Sequence, residues 1–230
     1  MPENLSALDL VLTGDPALFA IVRLALIVSL SAALLAALVG VPLGAAIALS
    51  SFRGRDALIV FLNAMMGLPP VVIGLVVYLA LSHSGPLGAW GLLFTPQAMV
   101  IAQTILVTPI IAALARQTIE DLWLEYRDEL TAMEVGPLRR LATLVWDARF
   151  SLITALLAGF GRAAAEVGAV IIVGGNINHV TRVMTTAIAL ETSKGDLPLA
   201  MGLGIVLIAI VFAVNALAWT ARRAGERFAG

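Results

Sequence analysis

The chain has 230 residues, 60% of them hydrophobic and 13% charged, with a mean hydropathy of +1.01 and a formal net charge of −1. That much apolar surface exceeds what the interior of a soluble domain of this size can hide, which predicts an integral membrane protein. The near-neutral charge argues against a nucleic-acid partner, and the lack of cysteine excludes disulfides, thiolate metal sites and cysteine nucleophiles.

Residues 1–16 form a short, polar-punctuated segment ending in Gly14-Asp15-Pro16, expected outside the cytoplasm. The first 19 residues hold Glu3, Asp9 and Asp15 but no Lys or Arg, so no cleavable signal is expected. A first span at 17–49 is interrupted only by Arg23. At about 1.5 Å per residue it outruns the roughly 30 Å hydrocarbon core, so it tilts, kinks at Pro42 or extends past the bilayer. A polar turn from Ser51 to Asp56 leads to a second span at 57–81, where Pro69-Pro70 predicts a kink. The loop 82–97 is rich in Gly and Pro and has no Lys or Arg. A third span at 98–115, bent at Pro109, opens into a charged loop at 116–149. The fourth span is 150–173, ending at Gly174-Gly175-Asn176. Residues 177–197 are mixed, and the apolar run from Met184 to Leu190 is too short to cross, which suits a re-entrant or surface helix. The fifth span is 198–219, and the membrane domain, 17–221, closes on a basic tail at 222–230.

Positive charges set the orientation. Arg53, Arg55, Arg116, Arg127, Arg139, Arg140, Arg149, Arg222, Arg223 and Arg227 fall on one side, against Arg182, Lys194 and a borderline Arg23 on the other. The N-terminus is therefore expected outside and the C-terminus in the cytoplasm. There is no internal repeat of the kind many secondary carriers show.

Within 116–149, Leu122, Trp123, Tyr126, Leu130 and Met133 recur at spacings of three or four, which places them on one helix face. Gly136-Pro137 is expected to stop that helix. The face suits either the bilayer surface or a cleft on a soluble subunit. In the fourth span Arg162 and Glu166 stand four residues apart, within pairing reach. An intramembrane Arg costs roughly 2.5–3.5 kcal/mol, so the pair is expected to face protein or water, either as a packing ion pair or as a source of positive potential on an anion path. Gly159, Gly161 and Gly168 allow close helix approach. Pro69, Pro70 and Pro109 free carbonyls that can line a gate or simply bend helices. Gly174, Gly175 and Asn176 can offer amides to an anion or cap a helix. Thr185, Thr186 and Thr192 can meet a hydrated oxyanion or satisfy backbone. His83 and His179 read as solvated.

A cytoplasmic helix, a Gly and a second helix before a span resemble the coupling loop of importer permeases of the ABC type I fold, whose pattern is Glu-Ala-Ala, three residues, then Gly. Anchored on Gly136, the chain reads Leu130-Thr131-Ala132 and then Met133-Glu134-Val135, with Pro137 after the Gly. The second Ala and the Gly match; the leading Glu does not, and Glu129 and Glu134 stand nearby. The run Gly161-Arg162-Ala163-Ala164-Ala165-Glu166-Val167-Gly168 resembles the Arg-x-x-x-Glu-x-Gly segment of molybdate- and sulfate-type permeases. The continuation through Gly174-Gly175-Asn176, Thr181-Arg182 and Met184 to Asp196 is most similar to the tungstate-uptake branch.

The resemblance implies an all-α membrane protein of five transmembrane helices with the type I permease fold, working as a homodimer with one path on its two-fold axis. It implies two ATP-binding subunits docked on the cytoplasmic loops and an extracytoplasmic oxyanion-binding protein. The chain has no phosphate-binding loop of its own, so it is expected not to be an enzyme and to carry no cofactor, with ATP and Mg on the partner ATPase. Location in a bacterial or archaeal cell membrane follows, with tungstate as the expected cargo. Molybdate or sulfate is the close rival, and a secondary carrier or a scaffold is the alternative from another class.

Overall fold

The computed structural model describes residues 16–229, with side chains described for 18–220. The segment expected at 1–16, save Pro16, and the side chains of Arg222, Arg223 and Arg227 lie outside the described residues. Every regular element among the described residues is helical.

Helix α1 (Pro16–Leu49) runs unbroken for 34 residues and through Pro42. It crosses the longest helix, α4 (Pro96–Ala132), over a surface of small residues. A Cβ on Gly40 would stand 3.0 Å from the Thr108 carbonyl oxygen, and one on Gly44 only 2.3 Å from that of Ala112. Ala32, Ala33, Ala36 and Ala45 are buried in the same contact. This is the small-xxx-small packing by which membrane helices bring backbones together without a hydrophobic drive.

The second span is bent far more than a proline kink. Helices α2 (Arg55–Met66) and α3 (Pro70–Leu81) meet at 96° across Gly67-Leu68-Pro69. Each proline removes a donor, and Pro69 is held extended because Pro70 follows it (φ −61°, ψ 122°). The pair is therefore a broken span or a re-entrant hairpin. Helix α3 lies against α7 (Gly168–Gly174), where a Cβ on Gly74 would come 2.8 Å from Ala169 Cα.

Two helices run differently from the spans expected on them. The helix of the third span continues past Ala115 to Ala132, with no Gly or Pro after Pro109 to stop it. The helix of the fourth span is interrupted before Val173. Helix α6 (Arg149–Ala164) ends early, and α7 restarts at Gly168. Helix α5 (Pro137–Asp147) precedes α6 at 70°. The short helix expected near Met184 is present as α8 (Met184–Lys194), followed by α9 (Leu197–Ala229).

Among the described residues, three helices are long and apolar enough to cross a membrane, and five spans result if each bent pair counts as one. Large apolar side chains stand outward on α1 and α9, including Phe19, Leu38, Met201, Ile208 and Phe212. Such a belt needs lipid or another chain against it. The chain is a multi-pass membrane protein.

Candidate functional site

Two groups of residues singled out in the sequence occupy two distinct places. The first is the turn that ends α4. Its last bonds run from Val135 N–H to Leu130 O and from Glu134 N–H to Thr131 O, at 3.1 and 3.0 Å. That pattern requires a left-handed residue just past the helix, and Glu134 supplies it at φ 53°. Gly136 is not the stop signal it was expected to be. It is extended (φ −64°, ψ 157°) and caps α5, with Pro137 at the first helical position. A Cβ on Gly136 would meet nothing within 4 Å. Thr131, Ala132, Met133, Glu134, Gly136 and Pro137 are all exposed, as is Glu129. Two apolar side chains stand out at this tip, Met133 at 74% and Leu138 at 82% exposure.

The apolar face of α4 packs against other helices of the same chain. Leu122, Trp123, Tyr126 and Leu130 pack with Leu141, Leu144 and Val145 of α5 and with Ala45 and Ala48 of α1. The Arg140 guanidinium lies 4.5 Å from the Trp123 ring centre, and its Nη2 donates to Val135 O. Helix α5 thus folds back over the face, and Met133 alone of the expected set is left outside. Further up α4, Glu120 accepts from Arg55 Nη2 at 2.6 Å and pairs with Arg116, while Arg55 Nε donates to Ile47 O. This network ties the start of α2 and the end of α1 to α4, more than three turns before the exposed tip.

The second place is the α6–α7 break. Arg162 Nη1 lies 2.5 Å from Glu166 Oε2, although the helix ends between them. Glu166 is 4% exposed, and each of its groups is engaged. Its Oε1 accepts from Ala169 N–H, satisfying the start of α7, and its backbone oxygen accepts from Thr185 Oγ1 at 2.9 Å. Gln103 of α4 donates to Ala163 O at 3.0 Å, closing the other side of the break. Arg162 keeps 32% of its side chain exposed.

The break meets the α2–α3 bend. A Cβ on Gly168 would lie 2.8 Å from Val71 Cγ2 and 3.6 Å from Glu166 Oε1. Pro69 and Pro70 therefore sit beside Gly168, and two interrupted helices face each other there. Gly161 differs: a Cβ would meet nothing within 4 Å, so packing within this chain does not demand glycine. Pro109 is buried inside α4.

Beyond α7 the backbone is tied down tightly. Gly175 (φ 71°) passes so close to Phe94 that a Cβ would stand 2.9 Å from its ring. Thr181 Oγ1 donates to Gly174 O at 2.5 Å and accepts from Ile177 N–H at 2.9 Å. Asn176 Nδ2 donates to Thr186 O, and Thr186 Oγ1 donates to Val183 O. The hydroxyls of Thr185 and Thr186 thus both serve backbone. Among the described residues no group of His, Cys, Asp or Glu gathers with metal-ligand spacing.

Sequence reading missed Gly40, Gly44, Gly74, Gln103 and Glu120. The pair Gly40-x-x-x-Gly44 carried a legible packing signal. The other three act through residues distant in sequence.

No family model matches the chain. Comparison with curated proteins finds a probable anion ABC transporter permease protein of Haloferax volcanii, 41% identical over 205 residues, covering 87% of this chain and 88% of the relative. The tungstate uptake system permease protein TupB of Peptoclostridium acidaminophilum is 39% identical over 215 residues, covering 94% of each. TupB of Campylobacter jejuni is 38% identical over 164 residues, 71% of this chain and 69% of the relative. Permeases named for molybdenum and sulfate transport match at 26–28% identity.

Proposed function

The chain belongs to the anion permeases of ABC transporters, and from that premise we propose that it moves a tetrahedral oxyanion, tungstate, inward by alternating access. It is a transport subunit and not an enzyme. What carries the substrate reading is the 39% identity to a tungstate uptake permease over 94% of both chains, well above the match to the molybdenum and sulfate permeases.

The mechanism rests on the two places described. Five spans of the type I fold put the N-terminus outside and the 133–136 tip in the cytoplasm, in agreement with the distribution of Arg and Lys. Two copies enclose the path on their two-fold axis. Each tip, residues Glu129 to Pro137, enters a cleft on an ATP-binding subunit, which holds ATP and Mg. The tip is braced by α5, and α4 is held further along by the Arg55–Glu120–Arg116 network, so a push on the tip moves α4 as a rod. Helix α4 in turn carries Gln103, whose amide holds the α6–α7 break. Closure of the ATPases can therefore reach the paired interruptions around Pro70 and Gly168, where the backbone already departs from a continuous helix. An extracytoplasmic binding protein delivers the anion to the opposite end.

The test is ATP-dependent uptake of tungstate by vesicles holding this chain, its ATPase and its binding protein, with molybdate and sulfate as competitors. Uptake that resists a tenfold excess of both competitors is the expected result. Equal competition by molybdate would remove the substrate assignment. Uptake without ATP would remove the ABC mechanism.

A further inference from the structure

A cationic pocket lies at the far end of α7 from the break, outside the residues assigned above. It has a volume of about 130 Å³; Arg23 of α1 and Asn178, His179 and Arg182 of the turn after α7 form its polar side, and apolar residues, among them Ile21, Leu24 and Ile27 of α1, form the rest. Among the described residues no Asp or Glu lines it, and neither arginine takes part in a salt bridge. Among the described residues Arg182 Nε is buried with no hydrogen-bond partner, as are the Nε atoms of Arg116 and Arg140, and of these three only Arg182 lines the pocket. A buried guanidinium donor without an acceptor is costly, and an anion is the ligand that relieves it.

The turn that presents these groups is built, not loose. The N–H groups of Val180, Thr181 and Arg182 all reach Ile177 O, at 3.0 to 3.2 Å. Thr181, 0% exposed, bolts the turn to Gly174. His179 is held at φ 61° and Asn176 at φ 49°, left-handed conformations that non-glycine residues keep only when the surroundings impose them. The two arginines come from different elements, 159 positions apart, so local sequence did not place them together. Two planar guanidinium groups, an amide and an imidazole around one small cavity match a compact oxyanion with several acceptor oxygens.

We propose that this pocket is an entry site where the tetrahedral dianion rests after release from the binding protein and before it enters the path. The proposal relies on the oxyanion-permease reading. Helix α7 has 7 residues, about 10 Å at roughly 1.5 Å each, so the site stands one short helix from the α6–α7 break. It lies at the end of α1 assigned to the outer face. A shallow, half-open pocket suits brief residence, and affinity in the range of about 1 mM is expected.

The test uses the permease–ATPase complex, without the binding protein, in phosphatidylcholine nanodiscs. Saturable binding of radiolabelled tungstate is measured for the wild type, Arg182→Gln, Arg23→Gln and Arg182→Lys. Saturable binding that weakens about tenfold in Arg182→Gln, falls in Arg23→Gln and is only partly kept in Arg182→Lys, which retains the charge but not the planar donors, is the expected result. Monodisperse assembly of each variant guards against misfolding. Wild-type complex that imports tungstate yet binds none in the discs, or binds it equally in Arg182→Gln, would overturn the entry site and leave the permease reading intact. Failure of wild-type uptake would overturn both. A second set of discs contains phosphatidylglycerol. Loss of tungstate binding there, with phosphatidylglycerol retained through purification by the wild type and not by Arg182→Gln, would assign the pocket to a lipid phosphate and overturn the entry role.

Discussion

The turn after α4 and the break after α6 both interrupt a helical course, but their needs are met in different places. At the break, Glu166 and the carbonyl of Ala163 are satisfied from within. Glu166 is buried, both its oxygens have partners, and Thr185 and Gln103 reach in from α8 and α4. At the turn, the chain needs the left-handed backbone of Glu134 but nothing from a side chain at Gly136. Gly136 has open space where a side chain would go, and Met133 and Leu138 project outward. An interruption closed from within is a joint. One left open, with apolar groups at its tip, is the place where the proposed ATP-binding partner would dock.

The largest effect that can break this comparison is Glu166→Ala. It leaves Arg162 without its counter-charge and Ala169 N–H without an acceptor. A loss of about 2–4 kcal/mol in stability is expected, below the full penalty of a severed buried pair because Arg162 keeps 32% exposure. Denaturant titration of the complex reads it; a loss under about 0.5 kcal/mol would show that the joint is not held by this pair. Next is the double variant Arg162→Met/Glu166→Gln, which removes both charges while keeping bulk. If the pair is a joint, the double variant regains most of the stability and the uptake lost by Glu166→Ala. Regained stability with uptake still lost would instead give Arg162 a role on the anion path. Thr181→Val should cost about 1–3 kcal/mol, because it leaves Gly174 O and Ile177 N–H without their bonds. The smallest effect on stability lies at the turn. Leu138→Ser should change stability by no more than about 0.5 kcal/mol, yet weaken ATPase docking in a pull-down. A destabilised but normally docking variant would reverse the assignment.

The contrast between the two regions also shows what could be read in the chain. The long apolar helices α1 and α9 follow from composition alone. So does the shared face of Leu122, Trp123, Tyr126 and Leu130, because spacing fixes which residues lie side by side. What covers that face did not follow. The spacing suited the bilayer surface or a cleft on a partner, and α5 covers the face instead because the turn at Glu134 reverses the chain. The break at 165–167 was hidden for a related reason. Ala163, Ala164 and Ala165 favour helix strongly. The continuation is lost to a local cap, Glu166 on Ala169 N–H, and to tertiary contacts, with Gln103 and Thr185 on the carbonyls of Ala163 and Glu166 and α7 pressed against α3 at Gly74. By contrast, Gly136 was legible as a special position, but for the wrong local reason. The left-handed stop falls to Glu134, and the glycine is extended.

The account turns on Gly136 serving an outside surface and not its own fold. The direct measurement compares Gly136→Asp with the wild type for thermal stability of the permease, ATPase co-purification and ATP-dependent tungstate uptake. The account predicts stability unchanged within about 0.5 kcal/mol, since a side chain there meets nothing, together with loss of ATPase docking and of uptake. Docking and uptake at wild-type levels, or a permease that unfolds on this substitution, would contradict it.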